Sequence, residues 1–366
     1  MWSQSPSDNQ EVITGNLGIK DISYVSSIIQ VLYNLPEFKE YFFKNLYEKN
    51  PNKHLSILMD KILRKKLSEI NFDDVSINIL SCLRLNYGLS KGKTPGEILI
   101  QILLVLKYEE KEISIEQWEK VVSKNQELFR NITNEQNALN DILDKNFSHF
   151  NSHFSTMFFA VFLSKRKFLD LNNILYFYNF YCVYELNIPR IYHNLINKKK
   201  LSNNGDQLPK INLIDCIQEM QETHIEIFDK KKCYVEYYMF NAPDYLIFLS
   251  KSDDPKYDAF RGNILFEENF NFSRVIQNSQ SNKFKLISVI NQKKYIVKQK
   301  EKDEKGVSWF NNDYESDVDN KEYKAIFRDE KGNFCYYEKD NDIKHCQLQI
   351  EDYDYFHHIL IFKRYE

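Results

Sequence analysis

Apolar residues recur at helical spacing through the first part of the chain. Val25, Ile28, Ile29 and Leu32 fall on one face of a 3.6-residue repeat, and Pro36 marks the end of that helix. Thr94-Pro95-Gly96-Glu97 has the form of a capping box with proline at the first helical position. The apolar face Ile98, Ile102, Val105 and Leu106 follows it. Residues 112–145 carry spaced Ile, Val and Leu in a Glu-, Gln-, Lys- and Asn-rich background and predict further helix. The segment 16–170 therefore reads as mostly helical. It follows a polar stretch, 1–15, expected to be flexible.

After about residue 175 the period changes. Aromatic and β-branched clusters alternate with polar turns, the pattern of strands. Tyr245–Leu249 is a continuous apolar run after Pro243, which predicts a strand buried on both faces. Phe284–Ile290 predicts another. Tyr323–Phe327 and Phe334–Tyr337 flank the turn sequence Arg328-Asp329-Glu330-Lys331-Gly332-Asn333, and Ile359–Phe362 forms a last strand. Residues 196–209 and 298–321 read as charged loops. Helices first and antiparallel strands second predict an α+β fold.

Composition narrows the function classes. The chain has 366 residues, 43% of them apolar, enough for a large core. A net charge of −3 leaves no global basic footprint, so direct RNA or DNA binding is not expected. The runs Lys198-Lys199-Lys200 and Lys230-Lys231-Lys232 read as solvated loops. Six scattered cysteines with no C-x-x-C predict reduced thiols. No apolar leader follows Met1, so secretion is not expected. The longest apolar run, Met157–Leu163, is far below the roughly 20 residues that span a bilayer, so no membrane partner is expected.

Five segments, in order, carry a family resemblance. Ser23-Tyr24-Val25-Ser26-Ser27-Ile28-Ile29-Gln30-Val31-Leu32 is similar to a cysteine box of the form C-Y-M-N-S-x-x-Q-x-L. Lys93–Leu99 resembles Q-D-A-x-E-F-L, and Asn212–Gln218 resembles an S-L-x-D-x-L-x helix. Ala242–Leu249 resembles L-P-x-x-L-x-x-x-L-K-R. The stretch from Lys285–Ile290 to His358–Phe362 resembles histidine-box strands ending in A-Y-x-L-F-Y. The family is that of the ubiquitin-specific proteases, and the match covers roughly 16–366. It implies a papain-like fold: a helical thumb over about 16–170, then an antiparallel-sheet palm and degenerate fingers over about 171–366. Ile19-Lys20, Tyr24 and Lys363-Arg364 also resemble the inactive branch found in the spliceosomal tri-snRNP. That branch usually carries an N-terminal zinc-finger domain, for which residues 1–15 leave no room.

Residue by residue, the resemblance implies lost chemistry. A thiol protease needs a thiolate, a histidine base, a group that orients the histidine, and oxyanion donors. Ser23 matches the nucleophilic cysteine. A hydroxyl there is either a nucleophile or, the favoured reading, a serine capping a helix N-terminus. Lys321–Arg328 matches G-H-Y-x-A-Y-x-R, which puts Glu322 on the histidine. A carboxylate with a pKa of about 4.3 is too weak a base to activate a hydroxyl. Phe334–Lys339 matches W-Y-x-F-D-D, so Lys339 replaces the orienting acid. An alternative match of that motif to Trp309–Asp313 supplies no histidine either. Asp21 stands where an oxyanion donor often sits, and its charge would oppose an oxyanion. His357 and His358 read as core or edge residues of the last strand, and Cys335 as a packed thiol.

Many members also hold zinc between two C-x-x-C pairs. Here Cys182-Val183-Tyr184-Glu185 and Cys233-Tyr234-Val235-Glu236 offer two thiols and two carboxylates, a poor structural zinc site, so no metal or other cofactor is expected. The resemblance implies a non-catalytic scaffold with protein partners, spliceosomal tri-snRNP components foremost, and a nuclear location. Two alternatives stay open: a ubiquitin-binding pseudoenzyme outside splicing, with ubiquitin or a ubiquitin-like protein as partner, and an active hydrolase.

Overall fold

The computed structural model describes residues 22–44, 52–89, 94–111, 152–169, 174–198, 209–228, 230–252, 262–276, 282–293, 322–337, 342–348 and 355–365, with isolated positions between 254 and 260. Helices α1 (Ser23–Tyr33), α2 (Pro36–Lys44), α3 (His54–Leu63), α4 (Phe72–Tyr87) and α5 (Pro95–Lys111) make a helical lobe, joined by the short α6 (His153–Phe158). Residues 112–145, predicted helical, lie outside the described residues.

Helix α1 is buried on nearly every side; only Ser23 and Gln30 are not. Such a helix must lie inside its lobe rather than on a surface. Its two buried serines make close approach possible. Ser26 Oγ lies 3.1 Å from Ser76 Oγ on α4, and Ser27 Oγ donates back to Tyr24 O at 3.0 Å. The predicted capping box starts α5 as expected. Glu97 N donates to Thr94 Oγ1, and Thr94 N donates to a Glu97 carboxylate oxygen, both at 3.3 Å. A Cβ at Gly96 in the same turn would press on the Leu249 side chain, which would have to shift to admit it.

Strand structure begins earlier than the change of period suggests. β1 (Ala160–Phe168) takes up part of the apolar run Met157–Leu163 and pairs with β2 (Ile174–Tyr181). A short apolar run does not distinguish strand from helix, and here it serves as both. Then follow β3 (Tyr184–Asn187), α7 (Ile188–Asn197), β4 (Lys210–Asn212), α8 (Leu213–Gln221), β5 (His224–Phe228), β6 (Lys231–Asn241), β7 (Tyr245–Lys251), β8 (Asn263–Leu265), β9 (Asn269–Asn271), β10 (Lys283–Lys293), β11 (Tyr323–Arg328), β12 (Phe334–Tyr337), β13 (Ile343–His345) and β14 (Tyr355–Arg364). The strand pattern after 175 did not predict α7. Its local signals are Pro189 in the first turn and Asn187 Oδ1, which accepts from Arg190 N at 3.1 Å.

One sheet runs β13-β12-β11-β10-β14-β7-β3 with β9 on β10, antiparallel except where β3 meets β7. A second, four-stranded antiparallel sheet runs β2-β1-β6-β5. β4 and β8 form a separate parallel pair. The large sheet is covered on both faces, and its central strands alternate between two cores. Tyr245, Ile247, Leu249, Ile359 and Ile361 join the core under the helical lobe. Leu246, Phe248, Leu360 and Phe362 join the opposite core, with Ile188, Ile191, Leu213 and Ile217 of α7 and α8. This explains why these strands read as unbroken apolar runs. The predicted hairpin is also present: Gly332, at φ +84°, lets the chain turn from β11 into β12.

A polar latch ties the helical lobe to the sheet. The carboxylate of Glu37 on α2 accepts from Tyr245 Oη on β7 and pairs with Lys363 Nζ on β14. Burial pushes the Glu37 pKa up, but the bonds from Lys363 and Tyr245 outweigh it and hold it below its ordinary 4.5. A depressed carboxylate stabilises the fold above its unfolded pKa, and that contribution is lost as the pH falls through the folded value. Glu37→Gln is therefore expected to flatten the acid limb of the melting temperature against pH below about 4.5, leaving its slope near pH 7 unchanged.

Candidate functional site

Ser23 is the first residue of α1 and half-buried. The N-cap position is Ile22, whose carbonyl accepts from Val25 N and Ser26 N at 3.0 Å and whose own side chain makes no cap bond. Ser23 is thus the first helical residue rather than the cap position itself. Asp21 lies outside the described residues, as does Lys339.

Glu322 directly precedes β11 and is exposed. Its carboxylate takes Lys293 Nζ at 2.8 Å, and its carbonyl takes Lys293 N at 3.0 Å. The pair closes the β10–β11 ladder at its rim. At about half exposure for both partners, it adds no more than ~1 kcal/mol.

Helix α1 and strand β11 pack together and run the same way. At the far end of α1, Tyr337 Oη donates to Asn34 Oδ1 at 3.0 Å, and the Tyr337 ring lies 4.6 Å from that of Phe327 near the end of β11. At the near end, Tyr24, Tyr323 and Ala325 share one core. Ser23 and Glu322 therefore stand at the same end of two packed elements, although 299 positions separate them in sequence. Neither composition nor periodicity carries that juxtaposition.

His357 and His358 are both buried, as the core reading expects. A register shift between Ile290 and Asn291 sends the two rings to different neighbours. His357 Nδ1 lies 2.8 Å from Asn291 Oδ1, and its ring meets Phe266 edge-on. The His358 ring packs 5.5 Å from Tyr323, the residue after Glu322. The bulge that brings an imidazole beside this end of β11 has no sequence signal of its own. Cys335 is fully buried, its Sγ turned to Phe327 O at 3.5 Å. All six thiols are pushed up from the ordinary value, burial being the largest cause in each, with Cys182 at about 12 and Cys82 and Cys335 at about 11.

The four positions matched to zinc ligands do not converge. Cys182 follows Tyr181, which is paired with Ala160 at one end of β1, whereas Cys233 is paired with Phe168 at the other end. Strand rise over that length separates the two rows by about 26 Å. Cys182 is packed in the core under the helices. Glu185 pairs with Lys251 at 2.7 Å, and Glu236 accepts from Thr223 Oγ1 at 3.4 Å. Among the described residues, no group of three or more His, Cys, Asp and Glu side chains could hold a metal ion. Nor is any described helix long and apolar enough to cross a membrane.

No protein-family model matches the sequence, and no curated protein matches it. Solved structures do match. The SAGA DUB module of Ubp8, Sgf11, Sus1 and Sgf73 superposes with a TM-score of 0.58 at 14% identity, over 94% of this chain and 66% of that one. The chain has the ubiquitin-specific protease fold. The same module bound to monoubiquitin matches with a TM-score of 0.58 at 15% identity, over 93% of this chain and 66% of that one. A yeast SAGA module matches with a TM-score of 0.55 at 12% identity, over 92% and 65%. The chain thus spans just under two thirds of the length of these matched chains. In the vocabulary of this fold, α1–α5 form the thumb, the large sheet the palm, and the four-stranded sheet the fingers.

Proposed function

We propose that this chain is a non-catalytic member of the ubiquitin-specific protease fold that acts as a protein-binding scaffold. The observation that carries the reading is the rim where α1 meets β11. A hydroxyl starts the helix there, and the residue matched to the base is a carboxylate paired with Lys293. Carboxylates as a class are weaker bases than imidazole, and burial pushes all six thiols up, away from a thiolate. The palm and thumb remain intact around this rim and keep a surface for protein partners.

A fluorogenic ubiquitin C-terminal conjugate tests the catalytic half. The protein is expected to release no fluorophore above the buffer rate. Release that disappears in Ser23→Ala would overturn the reading.

The resemblance to the inactive branch makes tri-snRNP assembly the first scaffold role, with a nuclear location. A tagged chain should co-purify with tri-snRNP proteins and stain the nucleus; capture of none of them would remove splicing. The second reading is a ubiquitin-binding pseudoenzyme outside splicing, favoured by the match to a monoubiquitin-bound module. Titration with labelled ubiquitin separates the two, because unchanged chemical shifts at high micromolar concentration would remove the second.

A further inference from the structure

The tip of the fingers sheet carries a surface that the scaffold reading does not use. β5 is an edge strand of that sheet, bonded to β6 alone among the described residues. Its side chains alternate strictly. His224 and Glu226 face one side, where Glu226 takes Tyr237 Oη at 3.2 Å, His224 Nε2 at 3.0 Å and the Arg166 guanidinium at 3.6 Å. Phe168, Leu175, Cys233 and Val235 pack a small core on that side. This network holds β5 in strand geometry from below.

The opposite side presents Ile225 and Ile227, which are 57% and 74% exposed. Tyr234, opposite Ile225 in the ladder, is 42% exposed, and Leu169, whose N–H bonds Lys232 O, is 46% exposed. These four account for nearly half of the exposed large apolar side chains among the described residues. Edge strands are ordinarily guarded by charges, proline or a bulge; on this face β5 has none of them. Among the described residues the exposed charge around the patch is mostly basic. Lys167 lies opposite Tyr234, Lys232 lies opposite Ile227, and Lys230 and Lys231 lead into β6, all of them exposed. Glu236 is the exposed acid further along the same face.

We infer that β5 is a docking edge for an extended segment of a partner protein that alternates apolar and acidic residues. Such a segment would add antiparallel to β5, taking its main-chain bonds from the open edge. Its apolar side chains would lie beside Ile225 and Ile227, and its carboxylates would reach the lysines. A second copy of this chain fits less well, because it would bring a second lysine-rich turn to an already basic tip.

The probe is a fluorescein-labelled peptide of alternating Glu and Val, closed by Pro at both ends to block self-association, titrated into the full chain and followed by anisotropy. Saturable binding is expected, weakening with added salt. Ile227→Asp and the double variant Lys231→Glu/Lys232→Glu should each weaken it about tenfold or more. Both alter exposed side chains, and unchanged circular dichroism and melting verify that the variants fold. Equal binding of a peptide with Lys in place of Glu, or of one with its Glu and Val in separate blocks, would overturn the acidic-strand assignment. So would undiminished binding by the variants. Sedimentation of a dimer that Ile227→Asp dissociates, with the peptide silent, would instead assign the edge to a second copy and overturn it too.

Discussion

Glu109→Ala is expected to lower the unfolding free energy by about 3–5 kcal/mol, a large part of the total for a domain of this kind. Glu109 lies on α5 and is 5% exposed, yet it serves another helix. The first turn of α3 has no cap of its own, because Lys53 places no side-chain acceptor there. Leu55 N and Ser56 N donate instead to the Glu109 carboxylate at 2.7 Å and 2.6 Å, the positions an N-cap side chain would serve. Ser56 Oγ and Tyr87 Oη donate to the same carboxylate. Truncation leaves four donors without their acceptor and removes a negative charge from a helix N-terminus. Glu109→Gln keeps an acceptor and should lose roughly half as much. Tyr87→Phe should cost about 1 kcal/mol. Urea unfolding measures all three, and a Glu109→Ala protein as stable as the parent would contradict the assignment. Because α3 packs on α4 and α5, the thumb should loosen first, which hydrogen exchange would register there before the palm.

Phe248→Ala should cost a similar amount, about 3–5 kcal/mol, at the other core. Phe248 is fully buried on β7, with rings of Tyr184 and Phe272 at 5.6 Å and Phe362 at 6.0 Å. The ring fills the space between the palm sheet and the elements behind it, and those neighbours come from β3, β14 and the residue after β9, so they cannot close over the gap without moving the sheet. Phe248→Leu conserves most of the volume and should cost less than about 1.5 kcal/mol. The two alanine variants are remote from each other and share no partner, so their effects should add within about 0.5 kcal/mol in the double variant. A cost for Phe248→Ala near that of an exposed site would contradict the packing described.

Both variants act on the frame that brings Ser23 and Glu322 to one rim. The Glu322–Lys293 pair adds little to stability, so Glu322→Gln should leave the melting temperature nearly unchanged. Its identity therefore reports on surface chemistry rather than on folding.

The helical and strand halves were legible in the sequence because each element obeys its own period. α1, the capping box before α5, the β11–β12 hairpin and the buried strands β7 and β14 all carry local signals: apolar spacing, a Thr-Pro-Gly-Glu start, a Lys-Gly-Asn turn. The α+β class follows from the order of those elements. The matched segments point to the ubiquitin-specific protease fold, with Ser23, Glu322, Lys339 and Asp21 at the matched site positions. What only the tertiary structure decided is where distant residues meet. The parallel packing of α1 on β11 sets Ser23 and Glu322 on one rim. Sheet register sends Cys182 and Cys233 to opposite ends of the fingers, a bulge turns His358 toward Tyr323, and α5 lends Glu109 to cap α3. Contacts of this kind depend on pairing register and on packing between elements remote in the chain. Local period contains neither, which is why the same sequence that announces its strands is silent about which of their side chains share a site.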